Sequence, residues 1–126
     1  MEYDSLDYPK RYSEFEVQAE LYHLLRPLCD VRGCVPAMCQ DQDGWHKVYL
    51  DLVVFYPDKQ PAVIIECKNT PHNTSLSLKF GTRQDRRYCR FGVQVLRCGS
   101  HEQFDAILNR VELEMESWLT ENSYEC

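Results

Sequence analysis

Residues 48–69, VYLDLVVFYPDKQPAVIIECKN, form two apolar runs on either side of a polar interruption from Pro57 to Pro61. Val, Ile, Phe and Tyr dominate both runs, and Pro and Asp punctuate the break, which is the composition of a β-hairpin. Both runs are apolar at successive positions, as strands buried on both faces require. Upstream, Val31–Gln40 and Gly44–Asp51 predict a further strand and a turn at Asp41-Gln42-Asp43-Gly44 that leads into the hairpin. An amphipathic helix precedes them over Ser13–Leu28. Ser13 and Glu16 make a capping box, and Val17, Leu21, Leu24, Leu25 and Leu28 form its apolar stripe. A second helix is expected over about Leu78–Arg90, after a polar loop at Thr70–Ser77 and before Gly92. Val93–Arg97 then reads as a strand, parallel to the one carrying Glu66 because a helix crosses between them. Ser100 to Gln103 is another capping box, opening a helix in which Phe104, Ile107, Leu108, Val111, Met115, Trp118 and Leu119 recur with a 3.6 period. The tails Met1–Lys10 and Glu121–Cys126 are expected to fray, and there are no internal repeats. The predicted order is α-β-β-β-α-β-α, an α/β domain spanning residues 1–126.

The charged positions in this pattern carry the chemistry. Folding the chain between Asp58 and Lys59 sets Asp51 opposite Glu66, because cross-strand partners keep a constant sum of residue numbers. Side chains alternate along a strand, so Glu66 and Lys68 share a face, which Asp51 joins. Two carboxylates brought together repel unless a cation lies between them. Few acid ligands, with positions left for water and phosphate, suit Mg²⁺ or Mn²⁺. An adjacent lysine then serves to orient an attacking water or to neutralise developing charge. The plainer alternative is a hairpin whose charged residues mark its entry into solvent.

Asp51, followed after fourteen residues by Glu66-Cys67-Lys68, resembles the D…(D/E)xK signature of the PD-(D/E)XK nuclease superfamily. The resemblance covers about residues 13–100. It implies a restriction-endonuclease-like αβββαβ core with a mixed central sheet, here with an extra C-terminal helix. It also implies Mg²⁺ (or Mn²⁺) held by Asp51, Glu66 and the carbonyl of Cys67, with Lys68 as the catalytic lysine. The proline that often precedes the aspartate in that superfamily is Leu50 here. Gln84-Asp85-Arg86-Arg87-Tyr88 resembles the QxxxY element of RecB-like nucleases and implies that Gln84 and Tyr88 face the site from the second helix. Members often supply a glutamate from the first helix. Glu14 is the matching position, with Gln18 one turn further along. Both segments have simpler readings, as a helix surface and as an acid favoured in a first turn by the helix dipole.

Charge bears on partners. The chain carries a net −6, which opposes bulk attraction to nucleic acid. Yet residues 69–99 hold Lys79, Arg83, Arg86, Arg87, Arg90 and Arg97 against the single acid Asp85. Five of these follow spacings of three and four on the second helix, forming a basic band suited to phosphates and flanking Tyr88. Seven cysteines, an odd number without a signal-like N-terminus, fit reduced thiols. Cys29, Cys34 and Cys39 lack a second ligand pair of the kind zinc sites use. No apolar run reaches membrane-spanning length. These features point to a cytoplasmic, metal-dependent endonuclease acting on DNA, as a homodimer or with a partner subunit to give specificity. The alternatives are a non-catalytic nucleic-acid-binding or interaction subunit on the same core, and a small-molecule enzyme.

Overall fold

The computed structural model describes residues 6–69 and 92–122. It contains helix α1 (Glu14–Leu25), strands β1 (Asp30–Asp41), β2 (Gly44–Phe55), β3 (Pro61–Cys67) and β4 (Gln94–Cys98), a 3-10 turn (His101–Gln103) and helix α2 (Phe104–Asn122). The expected second helix and the polar loop before it lie outside the described residues. So do Lys79, Arg83, Gln84, Arg86, Arg87, Tyr88 and Arg90. The chain is α/β, with one four-stranded mixed sheet in the order β1-β2-β3-β4. The first three strands form an antiparallel meander, and β4 runs parallel to β3, as the crossover argument requires.

Both helices follow their caps only in part. Ser13 is extended and its Oγ accepts from the Glu16 amide at 3.2 Å, so α1 begins as expected. It stops at Leu25 rather than Leu28, because Pro27 has no N–H to continue the ladder. Leu24 and Leu28, assigned to the stripe from sequence, are exposed. At the second helix the Ser100 hydroxyl makes no cap bond, and the Gln103 side chain accepts instead from the Gly99 amide. The last turn continues through Glu121 and Asn122, whose side-chain amide donates to the Trp118 carbonyl at 2.8 Å. Leu119 is exposed, whereas Trp118 stacks on Tyr56 at 5.7 Å.

The sheet buries both faces. Leu52, Val54, Val63, Ile65 and Leu96 pack against Val17, Leu21 and Leu25 of α1 and Ile107 and Val111 of α2. On the opposite face, Leu50, Val53 and Ile64 are buried among half-buried Val35, Val48, Phe55, Val93 and Val95. Each fully buried Leu, Ile or Val contributes roughly 1.5–3 kcal/mol.

The facing of the β1–β2 hairpin reverses at one position. Val31 and Leu52 belong to the face that α1 covers, yet Val35 and Leu50 belong to the other. Residues at even separations along a strand share a face, so both strands turn over between these positions. The register is the same on both sides, with Gly33 opposite Leu52 and Val35 opposite Leu50, and the ladder skips the position between them, which Cys34 and Asp51 occupy. Cys34 has φ of +51°, a left-handed conformation that costs a non-glycine residue on the order of 1–2 kcal/mol. The strain therefore sits directly across from Asp51. Cys34→Gly is expected to raise unfolding free energy by about 1 kcal/mol, and Cys34→Val to lower it by a similar amount, measured by urea denaturation.

Candidate active site

The β2–β3 ladder starts at Phe55↔Pro61, shifts register by one residue between Phe55 and Val54, and runs on from Val54↔Val63 to Leu52↔Ile65. The constant sum expected from sequence therefore holds only beyond the shift, where Asp51 and Glu66 are the next residues. Here side chains take over from the backbone ladder. The Asp51 amide donates to Glu66 Oε2 at 3.3 Å, and the Cys67 amide donates to Asp51 Oδ2 at 2.8 Å. Each carboxylate therefore satisfies a backbone N–H of the opposite strand, and the two acids fix each other. Glu66 is only 2% exposed, and Asp51 is half-buried.

Burial pushes the Glu66 carboxyl up to about 8, and the neighbouring Asp51 charge acts in the same direction. The Asp51 amide pulls it back. A hydrogen bond between the two carboxyl groups favours the protonated form again, and the Lys68 charge offsets part of the rise. The pair thus holds a proton where two negative charges would otherwise meet. A divalent cation held by hard oxygen atoms fits the same need. Among the described residues no three His, Cys, Asp or Glu side chains cluster as metal ligands. A cation here would therefore be held by two carboxylates and, as the resemblance implies, the Cys67 carbonyl. Such a sparse set suits an ion that keeps water and takes phosphate oxygens.

The neighbours of the pair are set by the ends of β3 and β4. Lys68 follows the last residue of β3, is half-buried, and its amide donates to the Cys98 carbonyl at 2.8 Å. The Cys67 side chain points into the core beside Cys98, its register partner. Its contact with Cys98, together with burial, raises the Cys67 thiol above the usual range, so the sulfur serves packing. Two further residues belong to this region, Gln18, which the sequence offered one turn beyond Glu14, and Arg97, which it did not. Arg97 is the β4 partner of Glu66 and is half-buried. Partners in a parallel register project to one face, so Arg97 shares the face of the sheet on which Glu66 lies. From α1 it is Gln18 that arrives, its Nε2 donating to the Asp51 carbonyl at 2.9 Å. Glu14 lies exposed in the first turn of that helix. Gln18 was visible as the next turn along from Glu14, whereas Arg97 depended on a β3–β4 register that no local signal fixes.

No family model, curated protein or solved structure matches the chain. The likeness to the nuclease superfamily therefore rests on Asp51, Glu66, Lys68 and their setting.

The raised Glu66 carboxyl has a sign-definite consequence for the metal-free protein. The folded state holds this proton more tightly than the unfolded chain, where a glutamate titrates near 4.3. The stabilisation is complete below that value and is lost as pH rises toward the folded value of about 8. Chemical denaturation without divalent ions is expected to show stability falling between pH ~5 and ~8. Glu66→Gln should flatten that fall and be more stable than wild type at the upper end.

Proposed function

We propose that the protein is a metal-dependent nuclease with a restriction-endonuclease-like core, hydrolysing phosphodiester bonds in DNA. The observation that carries this reading is the Asp51–Glu66 pair, locked by reciprocal hydrogen bonds to backbone amides at the end of the β2–β3 ladder, with Lys68 two residues on. The α-β-β-β order, the mixed sheet and the parallel β4 are compatible with such a core. No helix of the described residues is long and apolar enough to cross a membrane.

Asp51 and Glu66 would hold Mg²⁺ or Mn²⁺, with the Cys67 carbonyl in support. A cation bound there supplies Lewis-acid activation of water and neutralises charge in the in-line displacement. Lys68 then orients the attacking group or offsets the charge developing on phosphorus. Arg97 adds a cation on the Glu66 face, and Gln18 steadies the backbone of Asp51. Gln84 and Tyr88, with the basic band of Lys79, Arg83, Arg86, Arg87 and Arg90, would supply phosphate and substrate contacts, and Glu14 the auxiliary acid. A cytoplasmic setting and a homodimer or partner subunit complete the reading. A binding-only role on the same fold explains these residues less well. Two acids held together against their mutual repulsion weaken the fold and give a binding surface nothing in return.

Metal binding is the first test. Asp51→Asn and Glu66→Gln are each expected to abolish Mn²⁺ binding in calorimetric titration while leaving stability unchanged or raised. In the wild type, binding should release a proton at neutral pH, read from the dependence of the heat on buffer ionisation enthalpy. Unchanged Mn²⁺ affinity in both variants rejects the site. Circular and branched DNA, incubated with and without Mg²⁺ or Mn²⁺, tests the activity. Lys68→Ala should slow cleavage ~10²–10⁴-fold at saturating metal with DNA affinity little changed.

A further inference from the structure

Among the described cysteines, Cys67 and Cys98 alone are partners across a ladder. Cys39 faces His46, and Cys34 falls where the β1–β2 ladder skips a position, so neither has a cysteine opposite it. Cys67 and Cys98 form the last pair of the β3–β4 register. Both point into the core on the α1 side of the sheet, at 1% and 0% exposure, and their side chains touch. Neighbouring strands lie ~4.7–4.9 Å apart, within the Cα separation of ~4.4–6.8 Å that a disulfide spans. The backbone of the same pair is built into the site. The Cys67 amide donates to Asp51 Oδ2 at 2.8 Å, and the Cys98 carbonyl accepts from the Lys68 amide at 2.8 Å. Cys67 also lies between Glu66 and Lys68 in the chain, so a movement of its backbone reaches every group of the site.

From this juxtaposition we propose that Cys67 and Cys98 close into a reversible disulfide that switches the Asp51–Glu66 site off. The step is a two-electron oxidation by a peroxide. One thiolate attacks hydrogen peroxide, breaking the O–O bond and leaving a sulfenic acid and, after protonation, water. The second thiolate attacks the sulfenic sulfur and expels hydroxide, which takes up the remaining proton as a second water. A small-molecule thiol reverses the bridge by exchange. In the reduced state both sulfurs serve the core. The last pair of a ladder opens at a lower free-energy cost than the middle of the sheet, which admits a small oxidant to sulfurs buried in the closed state. Disulfide Cβ atoms stand ~3.5–4.5 Å apart, less than the strand spacing, so closure draws the ends of β3 and β4 together by roughly 0.5–1 Å. That shift falls on the amide that holds Asp51 and on Lys68. In a reducing compartment such bridges are transient and serve redox sensing rather than stability. The inference rests on the reading of Asp51 and Glu66 as the cation site and adds its regulation.

The test uses the full reduced chain, treated with hydrogen peroxide in the absence of divalent ions and then alkylated. Peptide mapping by mass spectrometry should find Cys67 joined to Cys98, and dithiothreitol should restore both thiols. In nuclear magnetic resonance spectra of the metal-free protein, the Cys67 amide proton, bonded to a carboxylate, should lie downfield and move upfield on oxidation. The Mn²⁺ affinity of the oxidised wild type should fall by ~10–100-fold, the usual effect of disturbing a partner that orients a metal ligand, and recover on reduction. Cys98→Ala should bind Mn²⁺ as the reduced wild type does and lose the response to peroxide. Should that variant fail to fold, the mapped bridge and the Cys67 amide of the wild type decide alone. Absence of a Cys67–Cys98 bridge in the oxidised wild type overturns the proposal. So does a bridge that leaves the Cys67 amide in place, or one that leaves a measurable Mn²⁺ affinity unchanged. Peroxide that weakens Mn²⁺ binding equally in Cys98→Ala assigns the effect to another residue and also overturns it. If the reduced wild type binds no Mn²⁺ while the bridge forms and the Cys67 amide moves, the cation reading falls and the redox coupling of the pair to Asp51 stands.

Discussion

The mutual lock between Asp51 and Glu66 organises this molecule. Each acid takes a backbone N–H of the facing strand, so the end of the β2–β3 ladder is closed by side chains rather than peptide groups. The arrangement fixes both carboxylates without relying on flexible loops. It also sets two acids side by side, and burial together with the Asp51 charge raises the Glu66 carboxyl well above the usual carboxylate range. The two carboxylates are oriented by the sheet itself.

Much of the surrounding structure can be understood as what this lock requires. The core on both sheet faces holds β2 and β3 rigidly enough to keep two acids together. Gln18 reaches from α1 to the Asp51 carbonyl, coupling the first helix to the backbone that presents the aspartate. The parallel β4 places Arg97 beside Glu66 and holds the Lys68 amide through the Cys98 carbonyl. The left-handed Cys34, across from Asp51, turns the hairpin over just where it leaves the sheet. Backbone strain of this kind persists only where its surroundings enforce it, and here it lies beside the residues of greatest chemical interest.

The two sides of the sheet carry different residues. The face bearing Glu66, Ile64 and Arg97 holds the buried acid and its cationic neighbour. The α1 face carries the exposed Trp45 and Tyr49 and the groove lined by Phe15, Gln18 and Leu52. Asp51 lies where the two meet. The β2–β3 pairing ends at Leu52, so beyond it the hairpin stands without a third strand among the described residues.

The sequence by itself determined the hairpin, the constant-sum register that sets Asp51 opposite Glu66, and the placement of Lys68 two residues further. These follow from alternation and from turn residues, which are local signals. The Ser13 cap and the parallel direction of β4 were legible for the same reason: capping chemistry and crossover handedness leave little choice. The tertiary structure decided the rest. Gln18 rather than Glu14 touches the aspartate's backbone, because the docking of α1 on the sheet, not helical periodicity, selects which turn makes contact. Arg97 is set opposite Glu66 by a register between strands more than twenty residues apart, which no pattern within either strand specifies. The early end of α1 and the exposure of Leu24 and Leu28 reflect a proline whose effect outweighed the apolar spacing. The reversal at Cys34 came from a left-handed backbone that alternation alone cannot reveal, since the hydrophobic pattern continues unbroken on either side of it.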